Sequence, residues 1–287
     1  VTPSLVFSYP SVRDIIGYMT DLVHGVGGDG VSDCASEAAR GVRESASDGD
    51  MAVVGVGMCL PGGVNDLDAM WEMLSGRVDM TGEAPLHRWD TDAELCRGLS
   101  SDHKKLDRMR YGGFLSRSDM ESFDGSLFGI SEAEAKAMDP SQRLLLEMSY
   151  LALADSGRDM TQLKGSLTGV FVGMTDASSL GIPVNEAYNS TFDCTKDSLS
   201  VAAGRISYAL GLQGPCMSVD TACSSALVAL HTARRSLQHG ECDSAVVTCS
   251  NILSQRASRM VALAGMTSED GKCHTFDESA NGYSRGE

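Results

Sequence analysis

The stretch Val219-Asp220-Thr221-Ala222-Cys223-Ser224-Ser225-Ala226-Leu227 decides how this chain is interpreted. A short apolar strand, Met217 to Val219, runs into small polar residues. A helix pattern then opens, with apolar positions at Ala226, Leu230, Ala233 and Leu237. Cys223 is therefore predicted at a strand-to-helix turn, at or near a helix N-terminus. Free backbone N–H groups and the positive end of the helix dipole favour a thiolate there.

Two interpretations of Cys223 are open at this point. Cysteine is among the most buried residue types and the chain has nine of them, so a packing role is the ordinary expectation. A thiol at a strand-to-helix turn is, in contrast, well placed as a nucleophile.

The wider pattern of motifs favours the second interpretation. Asp220 to His231 resembles the active-site signature of the β-ketoacyl synthases, specifically the ketosynthase domains of modular type I polyketide synthases. Other stretches resemble that family in its order: Gly62-Gly63, Arg88-Trp89-Asp90, Gly112 to Leu115, Phe128 to Ser131, Met138 to Glu147, Ser200 to Tyr208 and Thr275 to Asp277. A collinear set over residues 50–287 is far more specific than one short motif.

The resemblance implies a fold and a reaction. The fold is α/β, the N-terminal half of a thiolase-like fold with a parallel-rich sheet layered with helices. Cys223 would take an acyl chain from phosphopantetheine on a partner acyl carrier protein, and a decarboxylating malonyl-type extender would then attack that thioester. The Cys223 backbone N–H would bind the oxyanion, since a helix N-terminus presents free amides. The resemblance also implies a homodimer.

The decarboxylation step needs partners for Cys223. In this family they are two histidines, in HGT-like and NxGH-like motifs of the C-terminal half. His231 and His239 follow Cys223 on its own helix, roughly 12 and 24 Å away at about 1.5 Å per residue, so neither is its base. We interpret His231 as a core or interface residue. His24, His87, His103 and His274 match neither motif. The segment alone is therefore expected not to condense.

Composition excludes several other classes. The 287 residues carry a formal net charge of −16, which argues against nucleic acid and anionic membranes as partners. No run of apolar residues approaches a membrane span, and no targeting segment is visible. Without a CxxC pair, a metal or redox motif is not expected. Reduced thiols suit a cytoplasmic or similarly reducing organellar compartment. Both ends are interpreted as truncated.

The chain divides into three predicted regions. Residues 1–24 resemble the C-terminal end of an acyl carrier protein domain, with a short helix after Tyr9-Pro10; an ordinary amphipathic helix is the alternative. Residues 25–49 have the composition of a flexible linker. Gly25 to Gly30 fits GxGxxG but lacks a βαβ context, so no dinucleotide site is predicted. Residues 50–287 form the truncated ketosynthase region.

Within this third region, strands alternate with helices, which predicts a parallel right-handed array. Ala52 to Val56 is predicted as a buried strand. Asp66 or Asn65 is predicted to cap a helix whose apolar positions are Leu67, Met70, Trp71 and Leu74. Residues 77–137 show no clear periodicity. The other predicted elements are a helix from Pro140 to about Ala154 with Gln142 in a capping-box position, strands at Gly169–Gly173 and Ala245–Cys249, and a helix from about Lys196 to Leu210.

Other marked residues are assigned structural or supporting roles. Gln142, Arg143 and Arg205 are expected to stabilise the fold or an interface. Phe276-Asp277 and Arg285-Gly286-Glu287 are expected to support the site. One departure from the family is Thr248 to Asn251, where a Gly-Gly-Val run is usual, and it puts the packing near that strand in doubt.

Three alternatives to an elongating polyketide ketosynthase are open. The first is a non-catalytic ketosynthase-like module for dimerisation or carrier docking. The second is the ketosynthase of a type I fatty acid synthase. The third, disfavoured by the collinear motifs, is a cysteine hydrolase using Cys223 and a distant histidine.

Overall fold

The computed structural model describes residues 51–97, 103–175, 192, 195 and 198–287. The chain divides into two units, Val1–Asp50 and Met51–Glu287. The predicted carrier-like segment and linker, residues 1–24 and 25–49, lie outside the described residues.

The second unit contains ten described α-helices and five described strands. The helices are α1 Leu67–Ser75, α2 Thr91–Arg97, α3 His103–Asp107, α4 Arg117–Glu121, α5 Glu132–Ala137, α6 Pro140–Asp155, α7 Met160–Leu163, α8 Leu199–Leu210, α9 Ser225–Gln238 and α10 Gln255–Leu263. The strands are β1 Gly82–Glu83, β2 Tyr111–Gly112, β3 Thr168–Gly173, β4 Cys216–Val219 and β5 Ser244–Cys249. Short 3₁₀ turns occur at Gly125–Phe128 and Ala222–Ser224.

A three-stranded parallel sheet lies at the centre of this unit. Its order is β4-β3-β5, and β3 is buried along its whole length. Both neighbours pair with β3 in parallel, so Gly173 is level with Val219 on one side and with Cys249 on the other. The parallel array predicted from the alternation of strands and helices is confirmed.

Helices cover both faces of the sheet. On one face, Val170, Val172 and Val246 pack in the main core, which includes Leu145 of α6 and Ile206 of α8. On the other face, Phe171 packs against Ala229 and Ala233 of α9, with Ala245 and Val247 beside them. Adjacent residues of a strand point to opposite faces, which is why Val170 and Phe171 serve different cores.

The predicted strand at Ala52 to Val56 is wrong. The segment has no strand partner among the described residues, and Val53 and Val54 are 82% and 67% exposed. It runs beside α6 instead, where the Val56 N–H donates to the Asp155 carboxylate at 2.9 Å. An apolar run becomes a strand only when another strand accepts its hydrogen bonds, and a sequence pattern does not reveal that partner.

Two details of predicted helices are also corrected. Asp66 does cap α1, accepting from the Ala69 N–H at 2.8 Å, but α1 buries no residue and Trp71 is 70% exposed. Asp139 caps α6 and Pro140 is its first residue, as predicted. Gly157, which has a positive φ, follows the end of this helix. Gln142 is not a capping-box residue. Its buried amide accepts from Arg205 Nε at 2.9 Å and donates to the carbonyls of Thr195 and Ser198, so it joins α6 to α8.

A second, smaller core anchors the last residues of the chain. Trp89, Leu106, Met109, Leu253 and Ala262 form it. Arg88 and Glu287 make an ion pair beside it, with side chains 5% and 0% exposed. The Glu287 carboxylate also accepts from the N–H groups of Leu115 and Leu253 at 2.7 and 2.6 Å. Glu287 therefore joins the segments of Arg88, Leu115 and Leu253, while its expected role in supporting the site stays a prediction.

Candidate active site

Cys223 lies on an exposed turn between β4 and α9. It is the middle residue of the 3₁₀ turn Ala222–Ser224, and α9 begins two residues later at Ser225. Ala222 has φ of +54°, a backbone conformation that residues with a side chain rarely adopt. The placement at a strand-to-helix turn is therefore as predicted, and the turn is sharper than a helix pattern alone indicates.

Side chains of the turn bind its own backbone. The Ala222 N–H donates to the Asp220 carboxylate, and the Thr221 N–H donates to the Ser225 hydroxyl, both at 2.9 Å. The Ser225 hydroxyl in turn donates to the Ala222 carbonyl at 2.7 Å. These bonds offset the strain at Ala222 and keep the turn in one conformation.

Cys223 takes no part in that network. Among the residues that the structure describes, neither its thiol nor its backbone N–H has a hydrogen-bond partner, and the residue is exposed. An accessible thiol beside a free N–H at the start of a helix suits a nucleophile with one oxyanion donor. Such a site is able to form and break a thioester.

Glycine at position 173 allows the turn to approach the sheet. A Cβ added at Gly173 would lie 2.7 Å from the Ser225 carbonyl carbon and 2.8 Å from the Ala226 nitrogen. The first residues of α9 thus rest directly on the carboxyl end of β3. In open α/β sheets this is the edge where ligands bind.

The helix after Cys223 buries Ala233 as predicted, but its buried face is shifted from the predicted one. Ser225, Ala229, Ala233 and Ser236 are buried, while Leu227 and Leu230 are 70% and 50% exposed. The choice of Leu230 as a core position was wrong, because small residues are needed where a helix lies this close to a sheet.

The histidines of this chain are exposed or hydrogen-bonded to other residues, as far as the structure describes them. His231 is exposed, so it is not a core residue, and the alternative of an interface residue stays a prediction. His239 is hydrogen-bonded to Arg235 at 3.0 Å, and His274 to Asp270 at 2.7 Å. His87 and His103 are exposed, and His24 lies outside the described residues.

Cys249 is a second thiol at this edge, and the sequence pattern predicted no role for it. It ends β5, level with Gly173. Protein atoms packed around its sulfur raise the pKa of the Cys249 thiol, although the residue is exposed. The departure from the family pattern at Thr248 to Asn251 was the available signal, but only the strand register shows that Cys249 lies at the sheet edge that carries Cys223.

Two other classes of site receive no support within the described residues. No group of three or more His, Cys, Asp or Glu side chains is arranged to hold a metal ion there. No helix in the described ranges is long and apolar enough to cross a membrane.

A parallel α/β sheet with an exposed cysteine at a strained strand-to-helix turn places the protein among those with a thiol nucleophile suited to covalent catalysis. The family model described as "Beta-ketoacyl synthase, N-terminal domain" matches residues 48–287. The chain therefore belongs to the β-ketoacyl synthase family, in its N-terminal domain, and this family consists of acyltransferases. The predicted ketosynthase resemblance is confirmed for this region.

The regions that this chain matches are parts of much larger synthases. The chain is 40% identical over 252 residues, 86% of its length, to a phenolphthiocerol/phthiocerol polyketide synthase of Mycobacterium tuberculosis, and covers 11% of that protein. It is 41% identical over 252 residues, 85% of its length, to a highly reducing polyketide synthase of Aspergillus luteorubrus, and covers 8% of that one. The chain thus spans about a tenth of the curated proteins it matches.

Solved structures of ketosynthases have the same fold. The ketosynthase from module 6 of the bacillaene synthase of Bacillus subtilis 168 superimposes with a TM-score of 0.69 at 33% identity, over 82% of this chain and 38% of that one. An oxazolomycin ketosynthase domain of Streptomyces albus JA3453 gives a TM-score of 0.71 at 33% identity, over 82% of this chain and 40% of that one. The chain thus corresponds to less than half of a solved ketosynthase domain.

Proposed function

We propose that this chain is the nucleophile-bearing part of a polyketide-synthase ketosynthase. Cys223 accepts an acyl group from the phosphopantetheine thiol of an acyl carrier protein. The observation that carries the proposal is the exposed Cys223 at the strained turn above Gly173, without a hydrogen-bond partner among the described residues. The 40% identity to a polyketide synthase supports the choice of substrate class.

The acyl transfer uses groups of this chain. The Cys223 thiolate attacks the thioester carbonyl, and the Cys223 backbone N–H donates to the oxygen as negative charge develops there. The carrier thiolate then leaves, so one thioester replaces another at little cost in free energy. Asp220 and Ser225 hold the turn, and their hydrogen bonds are 2.9 Å or shorter.

Condensation requires more than these residues. The family resemblance implies two histidines, in HGT-like and NxGH-like motifs, for decarboxylation of a malonyl-type extender. The six histidines of this chain match neither motif. We therefore expect acylation of Cys223 without release of a condensed product from these 287 residues.

Acylation is testable with a small thioester. The reduced chain is incubated with an acyl N-acetylcysteamine thioester, and the added mass is located by peptide mass spectrometry. We expect the acyl group on Cys223, no acylation in Cys223→Ala, and unchanged acylation in Cys216→Ala, a matched control at another exposed thiol. Acyl groups placed on other cysteines with Cys223 unmodified would contradict the proposal.

A non-catalytic docking or dimerising module is the second candidate. The observation that favours it is the exposed His231 on α9, a side chain available for contact with a partner. This candidate predicts a Cys223 thiol that is inert to the thioester. A fatty acid synthase ketosynthase predicts the same acylation and is distinguished by its choice of extender and product.

We also propose that the complete domain is a homodimer. Among the described strands, β4 lies at an edge of the sheet, and we propose that the free side of its backbone pairs with a second copy. Sedimentation of a complete domain as a monomer at micromolar concentration would contradict this. The carrier-like nature of residues 1–24 remains part of the same proposal.

A further inference from the structure

The register of the sheet places Cys249 at the same carboxyl edge as the turn that carries Cys223. Gly173 pairs with Val219 on one side and with Cys249 on the other. The Cys223 turn follows β4 after Val219, and the first turn of α9 lies against Gly173. Neighbouring strands are about 4.8 Å apart, so Cys249 is one strand away from the point where α9 meets the sheet.

Strand alternation shows on which face the Cys249 side chain lies. Ala245 and Val247 of the same strand pack against the Phe171 cluster under α9, whereas Val246 packs in the opposite core. Cys249 has the same parity as Ala245 and Val247. Its thiol is therefore on the α9 face, at the same edge as Cys223.

Cys216 provides a contrast within the same sheet. It is level with Val170, three residues from the carboxyl end that Gly173 occupies. Its side chain is on the same face of β4 as that of Ser218, whose hydroxyl accepts from the Ala203 N–H of α8 at 3.3 Å. Cys216 thus lies on the opposite face, exposed but separated from Cys223 by the sheet.

We propose that Cys223 and Cys249 form a reversible disulfide when the protein meets a peroxide, which makes this edge of the sheet an oxidative modification site. The inference rests on the reactive Cys223 of the proposed function. Burial around the Cys249 sulfur raises the pKa of that thiol, so Cys249 reacts more slowly with the oxidant and Cys223 is oxidised first.

The two steps balance in atoms and electrons. The Cys223 thiolate attacks one peroxide oxygen and the O–O bond breaks, which gives a sulfenic acid and hydroxide. The Cys249 thiolate then attacks the sulfenic sulfur. The S–S bond forms, the S–O bond breaks, and the hydroxide leaves as water with the proton that Cys249 gave up. Two thiols supply two electrons to one peroxide. A small dithiol later reduces the Cys223–Cys249 disulfide to two thiols by thiol–disulfide exchange and is itself oxidised to a disulfide.

Peptide mapping tests the pair directly. The reduced chain is treated with hydrogen peroxide, free thiols are alkylated with iodoacetamide, and non-reduced tryptic peptides are analysed by mass spectrometry. Cleavage after Arg205, Arg234, Arg235 and Arg256 places the two thiols on peptides 206–234 and 236–256. We expect these peptides to be linked in the wild type and in Cys216→Ala, and unlinked in Cys249→Ala.

Recovery of the acylation reaction gives an independent readout. After peroxide and then dithiothreitol, the wild type and Cys216→Ala are expected to regain most of their acylation by the N-acetylcysteamine thioester. Cys249→Ala is expected to recover roughly tenfold less, because its sulfenic acid proceeds to irreversible sulfinic and sulfonic acids.

The outcomes separate the two proposals. Overoxidised Cys223 beside alkylated Cys249 in the wild type, or a link from Cys223 to any other cysteine, would overturn the disulfide. Failure of the reduced, untreated wild type to acylate Cys223 would count against the proposed function instead.

Discussion

Replacing Arg88 by methionine removes the positive partner of a carboxylate that is 0% exposed. Glu287 would keep its hydrogen bonds from the Leu115 and Leu253 N–H groups, but it would lose both guanidinium contacts. The Leu253 carbonyl would also lose its 2.6 Å donor. Breaking a buried pair by removing one partner costs about 3–5 kcal/mol, since the remaining charge is neither solvated nor paired. We expect a loss of that size in the free energy of unfolding.

Urea unfolding measures this loss. Trp89 lies in the adjacent core and reports by fluorescence, and far-UV circular dichroism reports on the helices. The matched control is Arg117→Met, which removes a 2.7 Å pair with Glu121 whose side chains are 67% and 60% exposed. An exposed pair of this kind contributes only about 0.5 kcal/mol.

A double variant separates charge burial from packing. Replacing Arg88 and Glu287 together by methionine removes the unpaired charge, so its loss should be smaller than the sum of the two single losses. A loss below about 1 kcal/mol for Arg88→Met, similar to the Arg117→Met control, would refute the argument that this ion pair anchors the chain segments.

Three further predictions concern the sheet edge, a thiol and an acidic loop. Gly173→Ala introduces a Cβ that meets the Ser225 carbonyl carbon at 2.7 Å, so it should lower the free energy of unfolding by about 1–3 kcal/mol and slow alkylation of Cys223. The control is Gly204→Ala, whose added Cβ has nothing within 4 Å, so it should be neutral or stabilising. Burial raises the pKa of Cys59 to about 11, so iodoacetamide at pH 8 should modify it roughly 100-fold more slowly than an ordinary thiol, and an equal rate would contradict this. Hydrogen bonds from Ser268 and His274 lower the pKa of Asp270 from 3.8 to about 2, so its stabilising effect is present above pH 4 and is lost as the pH falls from 4 to 2. Thermal unfolding of Asp270→Asn should therefore lack that part of the pH dependence, and a curve parallel to the wild type would argue against it.

The errors in the sequence-based predictions have a common cause. Val53, Trp71 and Leu230 are apolar and were expected inside, yet all three are exposed in the described unit. Hydrophobic periodicity shows that a segment has an apolar face, but not which other segment covers it. Small residues such as Ala229 and Ala233 occupy the close contact between α9 and the sheet, because larger ones would not fit there.

The predictions that succeeded depended on local chemistry. Asp66 and Asp139 cap their helices through side-chain oxygens that accept from nearby N–H groups, as Asp does at many N-caps. The parallel sheet followed from the alternation of strands and helices, because consecutive parallel strands require a crossover connection.

The sequence by itself determined the family, the parallel α/β class and the position of Cys223 at a strand-to-helix turn, since these depend on residue order and local backbone preferences. The tertiary structure alone decided which strands are neighbours and which residues of neighbouring strands pair in register. The burial of Glu287 beside Arg88, the contact of α9 with Gly173 and the position of Cys249 at the edge that carries Cys223 depend on strand register and on contacts between residues distant in the chain. No local pattern encodes such contacts, because their partners are far apart along the chain.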